Sequence, residues 1–198
     1  MLKAAIELFN RTSTADVSVE DIAVAARMTP VELSAHFRDK PAIIRALFDQ
    51  YISSLDGLWR PEKDPRKNVA KMTKNLVLLD KERWEYRFIH RELPLLVRAD
   101  ARFKAIYDAL YSRRISEIRV FIQQLVLQDL MRVPRLPRTI EDLITTFWLV
   151  ADGWHTFLEV TGDPYDPVQM ARINDMLMVV IDPYLTDEGR ELFEKLTQ

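Results

Sequence analysis

Apolar positions recur at helical spacing from the first residues onward. Leu2, Ala5, Ile6 and Phe9 fall on one face, which predicts an amphipathic helix at the start of the chain. Ser18 and Asp21 form an S-x-x-D start for a second helix, with Val19, Ile22, Ala23 and Ala26 on its apolar face. Thr29-Pro30-Val31-Glu32 repeats the device: a threonine cap, a proline where no N–H is needed, and a glutamate that can reach back. In the helix that starts there, Leu33 and Phe37 lie one turn apart and face inward. Val31, Glu32, Ser34, Ala35 and His36 are left on the outer surface or its edges. Asp39 reads as the N-cap of a fourth helix with Pro41 at an early position and Ile43, Ile44, Leu47, Phe48 and Tyr51 inward. Two short capped helices around a tight turn predict a helix-turn-helix within a three-helix head.

Beyond Trp59-Arg-Pro-Glu-Lys-Asp-Pro65, whose prolines and charges mark a connection, the pattern stays helical. Short helices are expected over Val69 to Leu79 and Trp84 to Leu96, the second ending at or bending around Pro94. A spine helix is expected from about Asp100 to Met131, through Phe103, Ile106, Tyr107, Leu110, Ile118, Phe121, Ile122 and Leu125. Val133-Pro-Arg-Leu-Pro-Arg138 ends it. A helix from about Ile140 to Val160 is apolar nearly all round, which implies burial on more than one side, part of it against another subunit. One last long helix is expected from Val168 to Ile181, followed by a short tail helix. The expected division is a head over 1–50, with its connecting helix running to about 60, and a body over 61–198.

Composition narrows the class. With four glycines, ten prolines and no run of alternating β-branched residues, the chain reads as all-α, helices punctuated by proline. It is 48% hydrophobic over 198 residues, enough for a sizeable core. The absence of cysteine excludes disulfides and thiolate metal sites. No apolar run approaches the roughly 18 residues that span a bilayer, so a cytoplasmic protein without membrane partners is expected. His36, His90 and His155 stand far apart with no ligand-spaced companion, and no nucleophile elbow or phosphate-cradling loop occurs. No metal, cofactor or catalytic residue is therefore expected. His155, between Trp154 and Phe157 with Asp152 three residues earlier, reads as a hydrogen-bonded core histidine.

The segments AAIELFN, VSVEDIAVAA, LSAHF and DKPAIIRALF, in that order and spacing between Leu2 and about Tyr51, resemble the DNA-binding domain of the tetracycline-repressor (TetR) family. TGDPYDP and DPYLTDEGREL resemble carboxy-terminal stretches of family members more weakly. The resemblance implies a homodimer, most simply a repressor, whose heads read double-stranded operator DNA and whose larger domain binds a small-molecule effector. Carried over residue by residue, it assigns DNA contact to Thr29, Pro30, Glu32, Ser34 and His36, and phosphate contact to Ser18 and Lys40. The chain also departs from the family pattern. Where members commonly show glycine in the turn, then lysine, glycine or threonine, and paired tyrosines, this sequence has Arg27, Pro30, Val31, Glu32, Ser34 and Ala35. Members usually carry basic residues ahead of the first helix, whereas Met1 stands almost on it.

Charge runs against a simple phosphate-binding surface. Residues 1–60 hold seven basic and eight acidic side chains, so DNA contact has to come from local placement. The alternative class is a dimeric small-molecule-binding or protein-interaction module with the same fold and weakened DNA affinity. In the body, Trp84, Phe88, Phe103, Tyr107, Tyr111, Trp148, Trp154 and His155 offer apolar walls with polar tips. They are the candidate lining for a mostly apolar effector.

Overall fold

In the computed structural model, which describes residues 1–197, the regular elements are helices: α1 (Leu2–Arg11), α2 (Val19–Ala25), α3 (Pro30–His36), α4 (Lys40–Ser54), α5 (Pro65–Glu85), α6 (Arg87–Ala99), α7 (Ala101–Leu127), α8 (Ile140–Thr161), α9 (Pro167–Ala171), α10 (Ile173–Ile181) and α11 (Asp187–Thr197). A 3-10 turn over Asp182–Tyr184 and an isolated antiparallel bridge between Met131 and Leu185 complete them. Among the described residues no helix is long and apolar enough to cross a membrane.

Helix starts follow one local rule. Pro30, Pro65 and Pro167 each open a helix, and Pro41 lies in the first turn of α4, where a missing N–H costs nothing. Ser18, Thr29 and Thr139 accept from the third helical N–H, while Asp21, Glu32 and Asp142 accept back from the cap N–H. The box at the start of α8 is a T-x-x-D signal visible in the sequence and absent from the reading above.

The chain divides into two compact units: residues 1–56 with 82–108, and 57–81 with everything from 109 onward. In the first unit α1 packs on α2, α4 and α6, and α2 on α3. Ala5, Ile6, Phe9, Ile22, Ala23, Leu33, Ile43 and Leu47 are buried there, as the apolar periodicity predicts. Phe9 meets Phe88 at 5.2 Å and Phe48 stacks on Phe103 at 4.6 Å between ring centroids. In the second unit α10 packs on α8, with Leu76, Phe147, Ala151, Ile173 and Leu177 at the centre of one cluster.

Several boundaries differ from expectation, each for a local reason. Helix α5 is longer at both ends: Asp64 Oδ1 accepts from Arg66 N at 2.9 Å beside Pro65, which starts the helix early. Helix α6 runs through Pro94 to Ala99. Pro94 lies on the exposed face, where water tolerates the lost ladder bond, and Phe88, Ile89, Glu92 and Leu96 keep one buried face continuous. The expected last helix is broken at Arg172 into α9 and α10. Gln169 O, which would serve the ladder of an unbroken helix, accepts instead from Trp154 Nε1 at 3.1 Å. Phe37 is half-buried because the helix ends at it: it is the C-cap, with extended backbone.

Candidate nucleic-acid interface

The helix-turn-helix is built from short-range bonds. Ser18 Oγ accepts from Asp21 N at 3.0 Å and Asp21 Oδ2 from Ser18 N at 2.8 Å, fixing the entry to α2. At its exit, Met28 N donates to Ala23 O at 2.9 Å and Arg27 N to Val24 O at 3.0 Å. That pair of bonds is a Schellman closure, and it places Arg27 at φ 56°, in the left-handed region that favours glycine. Two residues later Thr29 Oγ1 accepts from Glu32 N at 3.2 Å and Glu32 Oε2 from Thr29 N at 2.7 Å, so α3 starts without slack.

On α3 only Leu33 is buried, and it fixes the helix to the head. Thr29, Pro30, Val31, Glu32, Ser34, Ala35 and His36 are exposed, Val31 at 77%. The outward set predicted for this helix is thus brought together on one seven-residue element. Two of its polar groups already have partners. Glu32 Oε2 also accepts from Thr29 Oγ1 at 2.8 Å, and Ser34 Oγ donates to Val31 O at 2.8 Å. The Thr29 N–H and hydroxyl hold the Glu32 carboxyl below its ordinary range, and those of Ser18, hydroxyl first, do the same for Asp21.

Lys40 differs from its companions. Its ammonium donates to Thr14 O at 2.6 Å, Val17 O at 2.8 Å and Ala15 O at 3.4 Å, so it ties the α1–α2 loop to the start of α4. From the other side Glu92 accepts from Thr14 N at 3.0 Å and Arg91 Nη2 donates to Phe9 O and Thr12 O at 2.7 and 2.6 Å. Asn10 adds a bond to Glu85 O at 2.7 Å and receives one from Phe88 N at 3.1 Å. Sequence reading missed this clamp, since its partners are about 80 residues apart.

The eight aromatic and histidine candidates divide equally between the two units. Trp84, Phe88, Phe103 and Tyr107 belong to the first unit, and Tyr111, Trp148, Trp154 and His155 to the second. Phe88 and Phe103 are fully buried against other rings, and Tyr111 meets Trp148 edge-on at 5.1 Å. Trp84 carries the Arg87 guanidinium 4.6 Å from its ring centroid. His155 is buried, its Nε2 3.5 Å from Glu159 Oε1. The second unit does hold a cavity of about 30 Å³, lined by Trp59, Met72, Leu76, Phe121, Met131, Phe147 and other apolar residues, and none of the eight candidates contributes to it.

Two family models divide the chain between them. One, described as bacterial regulatory proteins of the tetR family, matches residues 1–47. The other, described as TetR, bacterial transcriptional repressor, matches residues 50–193. The chain belongs to the TetR family. It is therefore a DNA-binding transcriptional regulator rather than an enzyme. Among solved structures, this TetR-family chain is similar to a TetR-family transcriptional regulator from Marinobacter aquaeolei VT8, at 26% identity over 98% of this chain and 96% of that one, with a TM-score of 0.82. It shares its fold with AibR in complex with isovaleryl coenzyme A and operator DNA, at 18% identity, 92% and 97% coverage and a TM-score of 0.66. A putative transcriptional regulator from Saccharomonospora viridis in complex with choline shares it too, at 18% identity, 91% and 94% coverage and a TM-score of 0.60. No curated protein matches the sequence.

Proposed function

We propose that this regulator is a dimeric repressor, released from its operator by a small, mostly apolar effector that enters the cavity of the second unit. The observation that carries the reading is that cavity: apolar on every side, in a chain whose other function is to present α3. A site with no polar lining excludes charged or strongly hydrogen-bonding groups, because they would be desolvated without compensation. Met72 and Met131 line it, and their flexible thioethers can yield to a ligand larger than the space present without one. AibR and the Saccharomonospora viridis protein were each crystallised with a small molecule, which supports ligand sensing within this fold.

Dimerisation is supported by the apolar residues that α8 and α10 leave in solvent: Leu149 at 66%, Phe157 at 53%, Val160 at 82% and Val179 at 66% exposed. Pairing these faces across a two-fold axis would remove them from water and give two heads for two half-sites. Within each head we assign base and phosphate contacts to Thr29, Pro30, Glu32, Ser34 and His36, with Ser18 on the phosphate backbone. Lys40 serves the loop it holds.

The test is a mobility-shift assay with DNA flanking the gene and an unrelated fragment as control, at low and physiological salt, alongside light scattering. A dimer that shifts its own flank selectively, and is released by an apolar compound that raises its melting temperature, is the expected outcome. A monomer at micromolar concentration, or a hydrophobic-compound screen that moves neither melting nor tryptophan fluorescence, overturns the corresponding part.

A further inference from the structure

Nine of the lysines and arginines are buried or half-buried. Eight of them have an acceptor in the protein. Lys40 has loop carbonyls, Arg45 has Asp100, Arg91 has Glu92 and Arg114 has Glu117, and the others are similarly served. Arg83 is the exception. It is 9% exposed, and its Nε and Nη1 are out of reach of solvent with no hydrogen-bond partner among the described residues. Its sequence neighbour Glu82 is buried as well, but accepts from Ser54 Oγ at 2.6 Å and makes no ion pair with it.

A guanidinium cannot escape this position by losing its proton, since it stays charged far above physiological pH. A water molecule could accept from Nε or Nη1, yet it would leave the charge unbalanced, and an unpaired buried charge is among the most costly features a fold can carry. We infer that Arg83 is the anchor of a binding site for a small oxyanion, a carboxylate or a phosphate, whose charge completes the ion pair that the chain leaves open. This site lies in the first unit, is distinct from the apolar cavity, and does not depend on the effector reading. Planar carboxylates and phosphates suit it because their oxygens match the guanidinium donors in spacing and direction.

The test uses the full chain and the variant Arg83→Met, which keeps an unbranched apolar stem. Melting is followed in inorganic phosphate and in benzoate, each against chloride at matched ionic strength, with benzyl alcohol as the uncharged match for benzoate. For the wild type, one of the two anions should raise the melting temperature by about 3–6 °C at ten times its dissociation constant, and benzyl alcohol should not. Which anion does so identifies the carboxylate or the phosphate source. Arg83→Met should show no anion-specific shift and, without anion, should melt no lower than wild type, because an uncompensated charge has been removed. Arg83→Lys, which keeps the charge but not the planar fork, should respond more weakly. The inference is overturned if Arg83→Met melts below wild type without anion or fails to fold, since the charge is then balanced within the protein. It is equally overturned if both anions shift wild type and variant alike, or if neither shifts the wild type. None of these outcomes bears on release by apolar compounds, so the effector reading stands or falls separately.

Discussion

Removing the Glu92 carboxylate should loosen the first unit by an amount that its contacts specify. Glu92 is 5% exposed and Thr14 8%. Its two oxygens accept from Thr14 N at 3.0 and 3.3 Å, from Thr14 Oγ1 at 2.5 Å and from Arg91 Nη2 at 2.7 Å. Glu92→Ala strands a buried backbone N–H and removes the counter-ion of a largely buried guanidinium. Breaking a buried pair from one side costs about 3–5 kcal/mol. Arg91 keeps the carbonyls of Phe9 and Thr12, which places the expected loss toward the lower end. Glu92→Gln retains an oxygen for Thr14 N but cannot balance the charge, so about 1–3 kcal/mol is expected. In urea, with an m value of about 2–3 kcal/mol/M, the alanine variant should unfold at a midpoint roughly 1–2 M lower. A cycle with Thr14→Val should show coupling of about 0.5–3 kcal/mol, and amide exchange should accelerate over residues 12–18. A midpoint within about 0.3 M of wild type, or strict additivity with Thr14→Val, would refute the clamp.

Four other expectations follow from local geometry. Lys40→Met should cost about 1.5–3 kcal/mol in urea unfolding, because three charge-assisted bonds to the α1–α2 loop are lost; a variant with wild-type stability and a shallower salt dependence of DNA binding would return Lys40 to the phosphates. Arg27→Gly should raise stability by about 0.5–1 kcal/mol, since Arg27 holds φ 56° at the close of α2; a lower melting temperature would show that its side chain does more than tolerate the turn. Gly189→Ala should unfold at markedly lower urea, because an added Cβ would stand 2.1 Å from Leu130 O and 3.0 Å from Leu130 C, both backbone atoms; an unchanged midpoint would mean that α11 shifts freely. Stability should fall with acid. Asp21, Glu32 and Asp142 each have a lowered folded-state pKa, from the hydroxyl and N–H of Ser18 for Asp21 and from the N–H and hydroxyl of Thr29 and Thr139 for the other two. Their contribution is present above the ordinary carboxylate range near 4 and is lost as pH drops through the folded values, so Asp21→Asn and Asp142→Asn should flatten the acid limb of a melting-temperature profile.

What could be read from the sequence tracks the distance over which each interaction acts. The head was legible because its devices join residues three to five apart. Ser18 to Asp21, Thr29 to Glu32 and Asp39 to Ala42 are all written in consecutive letters, and the buried residues of α1 and α4 repeat at one helical period. The break between α9 and α10 was not legible, because it turns on a tryptophan 15 residues upstream taking one carbonyl out of the ladder. The aromatic candidates in the body show the same limit from the other side. A ring at helical spacing is apolar and inward in either case, and only the tertiary neighbours decide whether it meets other rings alone, as Phe103 meets Phe48, or also lines an open space, as Trp59 and Phe147 do while meeting each other edge-on.

Basic residues carry the argument furthest, because their letters say least about their fate. From the sequence Lys40 is a phosphate ligand once a family is in view, and Arg83 has no assigned part. In the fold, Lys40 is enclosed by carbonyls from residues 14 to 17, an arrangement that stabilises an ammonium without any anion. Arg83 is enclosed without an acceptor at Nε or Nη1. The distinction is energetic. Bonds from loop oxygens compensate Lys40 for the water it gives up, so removing it should weaken the head, whereas Arg83 gives up water for nothing in the protein, so removing it should not. Opposite signs of stability change for Lys40→Met and Arg83→Met, measured side by side in anion-free buffer, follow from this contrast. Losses of equal size in both variants would mean that burial alone sets the role of a cation in this chain, whatever surrounds it.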